Sequence, residues 1–150
     1  MAKKLVNGVL VDMTPEEEAA FEASRTPTLP QARREMRARL SERREQAERG
    51  GFTHLTVKYG SGGSDLARLS VIAERARTAK AAGENTWRVR MVAADDSESN
   101  MNADEVIALE KSAGDHFVLC AANARTLRQA INQAADATAV LAVDINVGWP

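Results

Sequence analysis

Apolar residues recur at spacings of three and four along the last third of the chain: Val106, Leu109, Ala113, Phe117, Cys120, Ala124, Leu127, Ile131 and Ala134. That spacing puts them on one face of an α-helix. Asn102 followed by Glu105 forms a capping box with Asn in place of Ser or Thr, so the helix is predicted to begin near Ala103 and run to about Ala135. At about 1.5 Å per residue it would be about 50 Å long. An apolar stripe of that length does not stay in water. It predicts a cover of helices from the same chain or from neighbouring copies, with Phe117, Leu127 and Ile131 in the core. Gly114 costs about 1 kcal/mol there relative to alanine, or marks a bend. Past Asp136, Thr138 is expected to cap a short turn carrying Val140, Leu141 and Val143. Gly148-Trp149-Pro150 cannot continue a helix, and Trp149 is expected to pack back on the core or on a partner.

The same reading applied from the start gives a smaller series of elements. Lys4–Val6, Asn7-Gly8 and Val9–Val11 predict a hairpin closed by a type I′ turn. Thr14, Pro15 and Glu17 open a short helix that stops before Thr26-Pro27, and Pro30 can begin the next one. From Gln31 to Arg49 the pattern is mostly polar, with a thin stripe of Ala32, Met36, Leu40 and Ala47. This predicts a solvated arm or coiled-coil strand. Phe52–Tyr59 alternates as one strand. Gly60–Ser64 is a flexible turn into a helix capped at Ser64, carrying Leu66, Leu69, Ile72, Ala73 and Ala76 and ending at Gly83. Trp87–Val92 alternates as a strand, Asp95-Asp96-Ser97 turns, and Glu98–Met101 returns beside it. No internal repeat is visible at periods of about 20 to 50 residues.

The 150 residues suit one domain, or one compact domain with an appended arm. Formal charge is −1, unevenly placed: Met1–Gly83 holds 15 Lys and Arg against 11 Asp and Glu, and Glu84–Pro150 holds 5 against 10. Complementary halves favour packing of copies more than binding of nucleic acid. One cysteine excludes an intrachain disulfide framework. The start lacks the apolar run of a signal peptide, and no stretch is apolar enough to span a membrane, so a soluble product made in a cytoplasm is expected.

Candidate chemistry is sparse. His116 and Cys120 lie four apart on the long helix, but two ligands do not make a metal site, and a buried cysteine beside a half-exposed histidine is the simpler reading. Gly60–Ser64 lacks the Lys-Ser/Thr of a P-loop. Asp95, Asp96, Glu98 and Asn100 lack the glycine and glutamate of a calcium loop. The seven arginines of Gln31–Arg49 are offset by four glutamates and have no interleaved aromatic residue, which weighs against a nucleic-acid role. A polysaccharide-cleaving site would need two placed carboxylates in an aromatic-lined cleft, and the chain holds six aromatic residues. No catalytic residue, cofactor or metal ligand is assigned.

A series of local motifs then follows in order: Gly51-Phe52-Thr53, Tyr59, Ser64-Asp65, Trp87, Asp95-Asp96, Met101–Leu109, His116, Leu127, Ile131 and the ending Asp144-Ile145, Gly148-Trp149-Pro150. This order resembles a small domain of unknown function that recurs in tail-fibre and other tail-associated proteins of bacteriophages and prophages. The resemblance spans about Gly50 to Pro150. The hairpin and Met13–Glu18 also resemble the start of short phage tail proteins. The sequence departs from the family over Leu55–Gly63, where members show a tight polar turn between two short strands. The resemblance transfers no catalytic residue and implies a virion or assembly role.

The expected fold is α+β and mainly helical, with small β-hairpins on a helical core and one long C-terminal helix. Residues 1–49 would be a docking unit and residues 50–150 the tail-associated domain. The expected function is a structural part of a phage tail, in the fibre or baseplate region, made in the host cytoplasm and located in the virion. A tail-fibre assembly chaperone absent from the particle is the alternative. Partners would be other tail proteins and further copies of the chain, a homotrimer by analogy with phage fibres. Met36, Arg37, Leu40, Arg44 and Trp149 are the expected interface residues.

Overall fold

The structure, a computed structural model, describes residues 3–6 and 8–150, with the backbone alone for Ala23 and Ser24. The architecture is α+β and mainly helical. Lys3–Val6 (β1) and Val9–Asp12 (β2) form the first hairpin, followed by helices Pro15–Arg25 (α1) and Leu29–Arg49 (α2). Phe52–His54 (β3) and Val57–Tyr59 (β4) precede Gly63–Ala81 (α3), then come Val89–Val92 (β5) and Glu98–Met101 (β6). Ala103–Gln133 (α4) and Ala137–Leu141 (α5) complete the order. Three antiparallel strand pairs, β1-β2, β3-β4 and β5-β6, form separate two-stranded sheets.

Helix α4 is the spine. Its start is the predicted capping box, in which the Glu105 amide donates to Asn102 Oδ1 (3.0 Å) and the Asn102 amide to Glu105 Oε2 (2.7 Å). The stripe is covered within the chain at its two ends, by different partners. On the N-terminal half, Val106, Leu109 and Ala113 meet Leu69, Ala73 and Ala76 of α3 together with Phe52, Tyr59, Ala93 and Met101. On the C-terminal half, Leu127 and Ile131 meet Ala32, Met36 and Leu40 of α2 and Val140 of α5. Gly114 stays inside the helix. Phe117, expected in the core, is only half-buried and sets its ring edge-on to His116.

The solvated arm expected over Gln31–Arg49 is instead a packed helix. All four residues of its thin stripe are buried, and it lies along α4 and α5. Each helix caps the other's C-terminal carbonyls. The Arg33 guanidinium donates to the carbonyls of Asn132 (2.9 Å) and Ala134 (3.1 Å), and His116 Nε2 lies 3.1 Å from the carbonyl of Ala47. These contacts run α2 antiparallel to α4 and add donors to carbonyls at the helix ends, that of Ala47 also accepting from the Gly50 amide (3.2 Å). The boundary expected at residue 49 is therefore not a division of packing.

Phe52–Tyr59 is a hairpin rather than the expected single strand. Its two turn residues, Leu55 and Thr56, both take positive φ (46° and 72°), as the tightest hairpin connections require. Gly51 (φ +91°) precedes it, and a Cβ there would lie 2.7 Å from the carbonyl oxygen of Tyr59. Two further caps differ from expectation. Gly62 precedes α3 and places Ser64 inside the helix, and Asp136 rather than Thr138 caps α5 through the Ala139 amide (2.8 Å). The first hairpin has the expected register, with Leu5 opposite Leu10. Gly8 has φ +83°, while Asn7, the other half of the predicted turn, lies outside the described residues.

Candidate functional site

The five expected interface residues are all engaged within the chain. Met36 and Leu40 are 3% and 1% exposed in the core between α2 and α4, which removes them from any docking surface of the folded chain. Arg37 donates to Asn132 Oδ1 from Nη2 (2.6 Å), and Arg44 pairs with Glu48 (2.6 Å). Trp149 packs on the same core and donates its indole N–H to the carbonyl of Ile145 (2.9 Å), under the guanidinium of Arg43. The tail around it is a built turn. Asn123 Nδ2 donates to the carbonyl of Val147 (2.9 Å), and a Cβ on Gly148 (φ +77°) would lie 2.7 Å from Asn123 Oδ1. With Arg39 paired to Glu35, five of the seven α2 arginines are used inside the chain.

His116 is buried rather than half-exposed, and its job is structural: as a donor through Nε2 it closes the end of α2. Ser61 does the same one residue on, donating to the carbonyl of Glu48 (2.5 Å) and accepting from the Gly51 amide (2.9 Å). Cys120 is fully buried, and burial first, then the charge of Glu48, pushes its thiol above the ordinary range. That combination makes a poor nucleophile. His54 Nδ1 lies 2.8 Å from Ser112 Oγ, but that hydroxyl already donates to the carbonyl of Ala108 (3.2 Å). Among the described residues no group of three or more His, Cys, Asp or Glu side chains is arranged to hold a metal ion, and no helix is long and apolar enough to cross a membrane.

Two of the surfaces left unfilled combine exposed apolar groups with free strand edges. The first of these is the N-terminal ribbon. Both buried clusters draw on residues from Leu29 onward, and among the described residues none before Ala32 is buried. On the ribbon, Leu5, Val9 and Leu10 are 63–70% exposed, with Val6 and Val11 also open. It is tied to α1 by Lys4, which pairs with Glu17, and that lysine, followed by the Thr14 amide, lowers the Glu17 carboxyl from its ordinary value of 4.5.

The second is a groove of about 330 Å³ between α3 and β5. Phe52, Tyr59, Leu69, Met91 and Leu109 contribute apolar surface to it, and Arg68, Arg90, Asp65 and Asp96 also line it. The β5 edge beside it is open. Ala93 donates to the carbonyl of Ser97 (2.9 Å), which places the β6-facing hydrogen bonds at residues 93, 91 and 89. The amides and carbonyls of Arg90 and Val92 therefore point the other way, as does the Ala94 amide, which donates to the carbonyl of Lys58 (2.8 Å). The edge is used once, at Ala94, and is unpaired at Arg90 and Val92. The alternation over Trp87–Val92 signalled the strand, but nothing local signalled the free edge.

No curated protein and no solved structure matches the chain. A family model does match, over residues 31–147, and so takes in most of α2 together with α3, α4 and α5. The chain belongs to that family, described as a domain of unknown function, DUF4376.

Proposed function

We propose that this chain is a structural component of a bacteriophage tail, in the fibre or baseplate region, acting by packing with other copies and docking to neighbouring tail proteins. The observation that carries the reading is the N-terminal ribbon. A two-stranded hairpin is marginal in water by itself, and this one exposes apolar side chains on both faces with no core behind it. A segment built that way is made to be covered by something else. The resemblance of the Gly51–Pro150 motifs to a domain of tail-associated proteins supplies the setting. The reading assigns no catalytic residue, cofactor or metal.

The spine helix gives little support to the homotrimer, because both ends of its stripe are covered inside the chain. Oligomerisation rests on the ribbon instead. The test is quantitative mass spectrometry of purified particles from the phage or prophage that encodes the chain. A fixed copy number relative to the major tail protein is expected, and a multiple of three would restore the trimer. Absence from particles that assemble only when the gene is intact would overturn the structural role in favour of an assembly chaperone.

A further inference from the structure

Building on that reading of the chain as a packing and docking component, we infer that β2 of one copy adds as a strand to the open edge of β5 in a second copy, lying in the groove between β5 and α3. Both halves of such a contact are present in the one molecule. On the receiving side, the Arg90 and Val92 backbone offers two amides and two carbonyls in strand geometry, with an apolar floor alongside. A groove between an open strand edge and a helix suits an extended segment. Its backbone takes the ladder hydrogen bonds, and every second side chain drops onto the floor.

On the donating side, β2 matches β5 in length at four residues each. It alternates Val9 and Val11 on one face with Leu10 and Asp12 on the other, so either face presents apolar side chains to the floor. The outer edge of β2 also lacks the guard that β1 carries. Lysine on an edge strand discourages pairing, and Lys3 and Lys4 are both on β1. Charge agrees in sign between α1, which follows the ribbon, and the outer face of α3. The arm from Lys3 to Arg25 holds five carboxylates, Asp12, Glu16, Glu17, Glu18 and Glu22, against three cations. The outer face of α3 presents Arg68 and Arg75, which make no ion pair among the described residues, while Arg90 is paired with Glu98, and Asp65 and Asp96 also line the groove. A ribbon of each copy seated in the next is a heterologous contact, which closes into a ring or propagates along an axis. Either outcome suits a part of a tail.

Two substitutions test this separately on the full chain. Val92→Pro removes the edge-facing amide and leaves the β5-β6 bonds intact, because those lie at residues 89, 91 and 93. Leu10→Asp places a charge on a ribbon position that is 65% exposed, so the body should be untouched. Circular dichroism and thermal melting establish that each variant is folded, and multi-angle light scattering across the micromolar range measures association. The wild-type mass should rise with concentration. Each variant alone should associate at least about tenfold more weakly, the factor that about 1.4 kcal/mol represents. An equimolar mixture should form a two-chain species and nothing larger, because Val92→Pro keeps its ribbon and Leu10→Asp keeps its groove. The inference fails if the wild type remains monomeric, if Val92→Pro associates like the wild type, or if the mixture forms no dimer. Should Val92→Pro alone misfold, Arg68→Glu on the opposite wall takes its place with the same criteria. A monomeric chain found in particles would sink this inference alone, whereas a self-associating chain missing from particles would sink the tail assignment alone.

Discussion

Replacing Leu40 by alanine separates two accounts of α2, as a helix packed inside the chain or as one held by a neighbour. Leu40 is 1% exposed and sits among Ala32, Met36, Leu127, Ile131 and Val140. Deleting three buried carbons forfeits about 0.8 kcal/mol for each, or roughly 2.4 kcal/mol, before any cavity is counted. Measured Leu→Ala losses in cores run about 2–5 kcal/mol, according to how far the site collapses. Here one wall is the five-residue α5 and the tail behind it, which are short enough to move inward, so about 3 kcal/mol is expected. In urea, with a slope of about 2 kcal/mol per molar, that lowers the midpoint by about 1.5 M. Trp149 packs on this core and Trp87 on the other, so unfolding followed by fluorescence in a Trp87→Phe background reports the affected end. The exposed Arg39, paired with Glu35 on the surface, provides a control, since Arg39→Ala should cost under about 0.5 kcal/mol. A Leu40→Ala loss below about 1 kcal/mol, or a midpoint shift that grows on dilution, would refute the intrachain core and return α2 to an interchain role.

Three further outcomes follow from particular contacts. His116→Leu should cost about 1 kcal/mol by removing one of the two donors to the carbonyl of Ala47, the Gly50 amide remaining, and His116→Gln should recover part of the loss; equal melting temperatures for the two variants would count against the cap. Thr56→Gly should stabilise the chain by about 1 kcal/mol, because an L-residue pays that order of cost for φ +72° and glycine does not; a destabilised variant in urea titration would show the turn to be held by its side chains instead. Glu17 has a lowered folded-state pKa, so its contribution is present above 4.5 and is lost as pH falls through the folded value. Nuclear magnetic resonance shifts of the ribbon amides should therefore change below pH 4.5 in the wild type and much less in Glu17→Gln; an identical profile in both would remove the Lys4–Glu17 tie from the account.

Much of the fold was legible wherever the determining residues are close in sequence. The limits of α4, its capping box, the Thr14 cap and the register of the first hairpin all depend on residues within a few positions of one another. The β3-β4 turn was missed because Leu55-Thr56 belongs to a run of alternating residues and contains none of the Asn, Asp or Gly that usually mark positive φ. Tertiary constraint from Phe52 and Tyr59, both buried in the same core and stacked 5.8 Å apart, overrides the local preference.

The misplacement of α2 has a different cause, and it bears on where function lies. Its buried stripe is only Ala32, Met36, Leu40 and Ala47, which reads as solvated when judged by apolar content. Burial depends instead on what meets the stripe. The terminal alanines present little bulk where α2 passes along α4, and the arginines bordering the stripe form contacts that no local window contains. Arg33 reaches carbonyls 99 and 101 residues away, and His116 reaches back 69. Each such contact turns a residue that looked available for a partner into one already committed. Removing those residues from the list leaves as free surface the features that composition marks least: a ribbon with no core behind it, and a strand whose outward amides follow from its register. Neither carries a histidine or a cysteine. A function exercised through backbone edges therefore leaves few marks in residue identity, which is why the groove escaped a reading that searched for histidines, cysteines and carboxylates.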